Sequence, residues 1–178
     1  PPARKTPTDQ VSGMNAEKSI FCEGRQASQN PFFNYLPFRG AKGEVLIIRI
    51  PEIDFEKILK HRVFIAPLGG QLYWVGSSYV WDYKDQHPTP QGKAFLMDRL
   101  RDILKVPFEV VEHRSAIRPT VKDRRPFLGT HPQWPQLAIF NGLGTKGTSL
   151  GPFWAQTLQQ HLCEGSPIPP EVDIQRFP

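Results

Sequence analysis

Apolar positions in this chain fall into short runs separated by prolines and glycines, and their spacing alternates between a strand-like and a helical period. Residues 19–22 form a short apolar strand that stops before Gly24. Residues 43–50 are rich in Val and Ile and predict a strand buried on one or both faces, closed by Pro51. Residues 53–59 fit a short helix or an irregular connection equally well. The runs 63–66 and 71–75 flank Pro67-Leu68-Gly69-Gly70 and predict a hairpin. Residues 77–83 continue as a strand with Tyr79, Trp81 and Tyr83 on one face.

Helical spacing begins after Thr89, a capping residue followed by Pro90 at a favoured first helical position. Leu96, Leu100, Ile103 and Leu104 make one stripe, and Pro107 forbids continuation. Residues 108–112 return to strand character. A loop bearing Arg118 follows, then a buried strand over 137–140 and a glycine-rich turn. The last helix is expected after Ser149, with Leu150, Trp154, Leu158 and Leu162 on one face, Pro152 in the first turn and Gly165 as the stop. Strands joined by short turns and flanked by two helices predict an α+β fold around a mainly antiparallel sheet. Residues 1–14 show no apolar period and read as a loop or a loosely held end.

Composition narrows the function classes. With 178 residues, 39% hydrophobic and 22% charged, the chain can bury one good core and resembles a soluble globular protein. The formal charge of +5 is modest. Arg114, Arg118, Lys122, Arg124 and Arg125 concentrate it, but without a nucleic-acid-binding motif they read as a solvated face or a site for a small anion. No apolar run approaches the roughly 18 residues that span a bilayer, and no signal sequence is visible, so a soluble cytoplasmic protein is expected. Cys22 and Cys163 read as reduced core residues. His61, His87, His113, His131 and His161 have no metal-ligand spacing, so no metal is assigned.

The chemistry concentrates between residues 116 and 152. The turn Gly142-Leu143-Gly144-Thr145-Lys146-Gly147-Thr148 opens a helix, whose first N–H groups and dipole can hold negative charge. Arg118 adds a fork of donors suited to a carboxylate. Taken alone, the turn reads first as a plain strand-to-helix connection, and the arginine as a surface or structural ion pair with Asp123 or Glu112.

These residues carry a family resemblance. Arg118-Pro119, Asp123, Pro126, Leu128-Gly129 and the Gly142–Gly147 turn before a helix resemble the C-terminal part of FAD-dependent oxidoreductases related to D-amino-acid oxidase, glycine oxidase and sarcosine oxidase. Ile20-Phe21-Cys22-Glu23-Gly24 resembles the last strand of that family's FAD-binding domain, and Leu36-Pro37 with Lys42-Gly43-Glu44 resembles its entry into the substrate domain. The resemblance runs from about residue 16 to residue 165, and one departure is Ala116, where the family usually has glycine.

The resemblance implies that residues 1–42 hold a linker and the last strand region of an FAD-binding domain, 43–113 the substrate-domain sheet and helix, and 114–178 the return segment with its helix. It implies FAD as cofactor, contacted by Gly24 and by Gly142, Leu143, Gly144, Thr145, Lys146, Gly147 and Thr148. It gives Arg118 the substrate carboxylate, Lys146 a substrate contact, and Tyr73, Tyr79 and Trp81 a place in the substrate pocket. The implied reaction is oxidation of the C–N bond of an amino acid or secondary amine. A 2-hydroxy acid, an amino-acid-like group on RNA, or a non-catalytic binding module are the rival expectations. No strand followed by a suitable Gly-x-Gly-x-x-Gly turn is found for the adenosine half, so this chain alone is expected to hold no FAD and to need an N-terminal half as partner. Homo-oligomerisation stays open.

Overall fold

The computed structural model describes residues 16–177; the expected loop over 1–14 lies outside them. The described residues divide into two compact units, a middle unit Gly40–Arg118 and a flanking unit built from residues 16–39 and 119–177.

The middle unit is a five-stranded antiparallel sheet, with strands β2 (Ala41–Arg49), β3 (Leu59–His61), β4 (Val63–Gly69), β5 (Leu72–Gly76) and β6 (Glu109–Arg118) in the order β3-β4-β5-β2-β6. Helix α1 (Pro90–Ile103) packs on it. Alternation along β2 sends Leu46 and Ile48 into a core with Val63, Ile65, Tyr73, Val75, Leu96 and Leu100. Helix α1 starts where its cap predicts: the Thr89 side chain accepts a hydrogen bond from the Gly92 N–H, and Pro90 opens the first turn.

One open expectation is decided here and two are corrected. Residues 53–58 are an irregular connection that leads into β3 at Leu59. The expected strand over 77–83 contracts to a single bridge, Val80 with Lys42, because the chain then turns away, with the Asp85 carboxylate accepting from the His87 N–H. Strand β6 continues past the expected residue 112 to Arg118, because Ala41 to Ile47 pair with it without interruption. Arg118 therefore ends a strand instead of lying in a loop.

The flanking unit holds a three-stranded sheet, β1-β8-β7, from β1 (Ser19–Phe21), β7 (Phe127–Thr130) and β8 (Leu137–Asn141). β1 runs parallel to β8, and β7 runs antiparallel. Phe33, Leu36, Val121, Phe127, Leu137, Ile139 and Ile174 bury one face; Leu128, Leu158, Ile168 and Val172 form a second cluster under α2 (Gly147–Glu164). Helix α2 ends at Gly165, whose φ of 72° supplies the left-handed cap. It starts at Gly147, earlier than expected, so Pro152 lies in its second turn, and Leu150 is exposed. Cys22 and Cys163 are both free and exposed, not core residues, because strand β1 ends at Phe21 and Cys163 faces away from the Leu158 cluster.

Candidate active site

Arg118 leans from the end of β6 across the middle unit's sheet. Its strand partner is Ala41, and its guanidinium lies over Gly43, the diagonal neighbour on the same face. Its Nη2 donates to Ser77 Oγ at 2.5 Å and to the Ser78 carbonyl at 3.4 Å, and Cζ sits 5.3 Å from the centroid of the Tyr79 ring. Burial pushes the Arg118 pKa down while Tyr79 acts the other way, and a guanidinium stays charged throughout the physiological range. Nη1 is buried without a hydrogen-bond partner. The two sequence-neighbour carboxylates are engaged elsewhere: Glu112 takes Arg114 at 2.5 Å and Asp123 takes Arg176 at 3.2 Å. A desolvated cation with donors left over, clamped on one edge, is suited to bind an anion.

The expected pocket aromatics separate. Tyr73 is a core residue, 1% exposed, whose hydroxyl donates to the Ile53 carbonyl at 2.9 Å; its even position on β5 points to the helix side of the sheet. Tyr79 is exposed and lines a cavity of about 460 Å³ with Lys42, Glu44, Ser78, Val80 and Phe95. Trp81 stacks edge-on against Tyr79, with ring centroids 5.2 Å apart. Arg118 does not line this cavity: Lys42 and Glu44 alternate with Gly43 and so face away from the guanidinium.

The glycine-rich turn is organised within the flanking unit by Asn141. That side chain, 4% exposed, donates to the Gly24 carbonyl at 2.9 Å and accepts the Gly142 N–H at 2.7 Å. Gly24 and the turn, about 117 residues apart in sequence, are thereby tied together. Gly24, Gly142 and Gly144 have φ of 59°, 76° and 57°, which favour glycine, and the Gly144 N–H donates to the Pro119 carbonyl at 3.1 Å. A short 3-10 turn, Gly144–Lys146, leads into α2 at Gly147, and half-buried Leu143 precedes it. Thr145, Lys146 and Thr148 are exposed. No side chain caps α2 and its first turn carries no acidic residue. Lys146 adds a cation to the positive end of the helix, an arrangement unfavourable by itself and favourable beside an anion.

Asn141, Ser77 and Gly43 were not among the expected site residues. Only their pairing with distant segments distinguishes them from ordinary strand and turn residues.

The class is that of a flavin-dependent oxidoreductase, and it is set by comparison with known proteins. The chain belongs to the family of FAD dependent oxidoreductases, whose model matches residues 5–160. Among solved structures it is similar to glycine oxidase from Geobacillus kaustophilus, with a TM-score of 0.71 and 24% identity over 92% of this chain and 45% of that one. It is also similar to iminodiacetate oxidase from Chelativorans sp. BNC1, with a TM-score of 0.69 and 24% identity over 92% of this chain and 46% of that one. Among curated proteins it matches the tRNA 5-methylaminomethyl-2-thiouridine biosynthesis bifunctional protein MnmC of Idiomarina loihiensis, 24% identical over 155 residues, covering 81% of this chain and 25% of the relative. The chain thus spans about a quarter of that relative and less than half of each of these solved structures.

FAD is the cofactor of this family; in the flanking unit the uncapped, acid-free N-terminus of α2 suits an anionic group, whereas the Gly142 and Gly144 N–H groups are taken by Asn141 and Pro119. Among the described residues no group of three or more His, Cys, Asp or Glu is placed to hold a metal ion, and no helix is long and apolar enough to cross a membrane.

Proposed function

We propose that this chain is the substrate-side and C-terminal portion of an enzyme that oxidises the C–N bond of an amino acid or secondary amine, completed by an N-terminal FAD-binding half. The observation that carries this reading is the partly desolvated Arg118 guanidinium, held along one edge by Ser77 and Ser78 and unpaired at Nη1. Arg118 binds and orients the substrate carboxylate. Tyr79 shields the guanidinium from water on one face. The Gly142–Thr148 turn and Gly24 hold the cofactor, and Lys146 contributes positive charge at the α2 N-terminus toward an anionic ligand. When bound, FAD supplies the acceptor for the hydride removed from the substrate carbon. Two free, exposed thiols support a reducing, cytoplasmic setting.

Anaerobic flavin bleaching in the full-length protein tests this against glycine, sarcosine, iminodiacetate and matched 2-hydroxy acids. Bleaching by an amine is the expected result. Bleaching by a 2-hydroxy acid alone overturns it. One second reading has a specific support: the curated relatives are named for tRNA modification, so the amine could be carried on RNA. A free amine that bleaches as fast as RNA-borne substrate excludes that version.

A further inference from the structure

We infer that Gly43 is a positioning residue for Arg118. Its missing side chain is the platform on which the guanidinium lies, and that contact decides which edge of the fork is offered to a ligand. The inference rests on the reading of Arg118 as the carboxylate anchor.

A glycine inside a strand needs a reason, because it weakens the strand relative to alanine. Backbone conformation does not provide one: Gly43 does not have a positive φ, and it sits opposite Ala116 within the Ala41–Ile47 stretch that pairs with β6 without a break. Space does. A Cβ at Gly43 would stand 2.1 Å from Arg118 Nη2 and 2.3 Å from both Cζ and Nη1. All three atoms belong to the planar group, so the guanidinium lies flat on the Gly43 backbone. Its tip is not free to swing aside, because Nη2 is tied to Ser77 and Ser78 and the Tyr79 ring stacks on the group. Small residues at Ala41 and Ala116 complete the flat surface on that face.

Any side chain at position 43 would therefore lift the guanidinium from the sheet. Lifting it breaks the Ser77 and Ser78 bonds and turns the Nη1 edge away from its present direction. Gly43 thus acts through Arg118 and touches no reacting atom.

The test is a double-mutant cycle in the full-length protein with acetate as the carboxylate probe. Gly43→Ala should destabilise folding in the parent but be neutral or stabilising in an Arg118→Ala background, where the colliding group is gone. Gly43→Ala should also weaken acetate binding, measured calorimetrically, by about tenfold or more. If Gly43→Ala alone does not fold, the double variant should fold. Equal cost in both backgrounds, a double variant that fails to fold, or parental acetate affinity in Gly43→Ala overturns the inference. Acetate binding that is unaffected by Arg118→Lys overturns instead the carboxylate reading of Arg118, which separates the two failures.

Discussion

Glu44 on β2 holds the start of α1 through Thr89: its Oε2 accepts the Thr89 N–H at 2.9 Å and its Oε1 accepts the Thr89 hydroxyl at 2.7 Å. A carboxylate from a strand thus occupies the positive end of a helix that begins 45 residues later, while the Thr89 hydroxyl in turn accepts from Gly92. Gly92 makes this possible, since a Cβ there would stand 2.1 Å from Glu44 Oε2. Lys42 Nζ lies 3.7 Å from Glu44, and His113 Nε2 lies 2.8 Å away without hydrogen-bond alignment. Lys42 also donates to the His87 carbonyl, so the whole connection between β5 and α1 is anchored to β2.

Removing that anchor should be costly. Glu44 and Lys42 are 2% and 3% exposed, and deleting one member of a buried charged pair leaves the other without compensation. Glu44→Ala should lose about 3 kcal/mol of folding stability, read from urea unfolding. Loss of a few tenths only would show that the network is dispensable.

Stability should fall as pH falls, in two stages. His131, 8% exposed, accepts the Gln133 N–H at Nδ1 and faces the Phe32 carbonyl at 3.0 Å through Nε2, the pattern of a neutral ring. Burial pushes its pKa down, against the Phe32 contact. The unfolded chain therefore binds this proton first, and stability drops once pH passes below about 6.5. Burial acts to raise the Glu44 pKa, but Thr89, Lys42 and His113 outweigh it and hold it below the ordinary value. Its contribution is intact above the unfolded carboxylate pKa of about 4.3 and disappears as pH falls through the folded value. Unfolding midpoints measured across this range should show both declines, and His131→Gln should remove the first.

Arg118→Lys keeps the charge and loses the planar fork, including the two bonds to Ser77 and Ser78 and the stack on Tyr79. Affinity for a carboxylate substrate or acetate should drop by about 2 kcal/mol, on the scale of a charge-assisted hydrogen bond. Unchanged affinity in a titration would remove Arg118 from the binding role.

Gly144→Val should lower flavin content. The position combines a φ of 57° with a Cβ site 3.0 Å from Thr120 Cγ2, so a branched side chain distorts the turn that leads into α2. The ratio of flavin to protein absorbance in the full-length protein should fall while the thermal midpoint of unfolding shifts by a few degrees at most. Parental flavin content would contradict the assignment.

What the sequence by itself determined is local. Thr89 with Pro90 and Gly165 mark helix ends through bonds made within one turn, and the 63–75 hairpin forms as expected, although β4 runs on through Pro67 to Gly69 and leaves the turn at Gly70 and Gln71. The order of motifs around Arg118 and Gly142 likewise pointed to the family whose model matches residues 5–160. Tertiary structure alone decided the rest. Only pairing with Ala41–Ile47 carries β6 to Arg118, and only β8 makes a strand of Phe127–Thr130 in a proline- and arginine-rich stretch. Nothing near Tyr73 in sequence distinguishes a core aromatic from a pocket one; the packing of Leu96 and Leu100 behind β5 does. The burial of Lys42 and Glu44 likewise depends on His87 and Thr89, distant in the chain, which bond to them. Gly43 is the same case in reverse, since an absent side chain acquires meaning only when the far end of another strand lays a guanidinium on it.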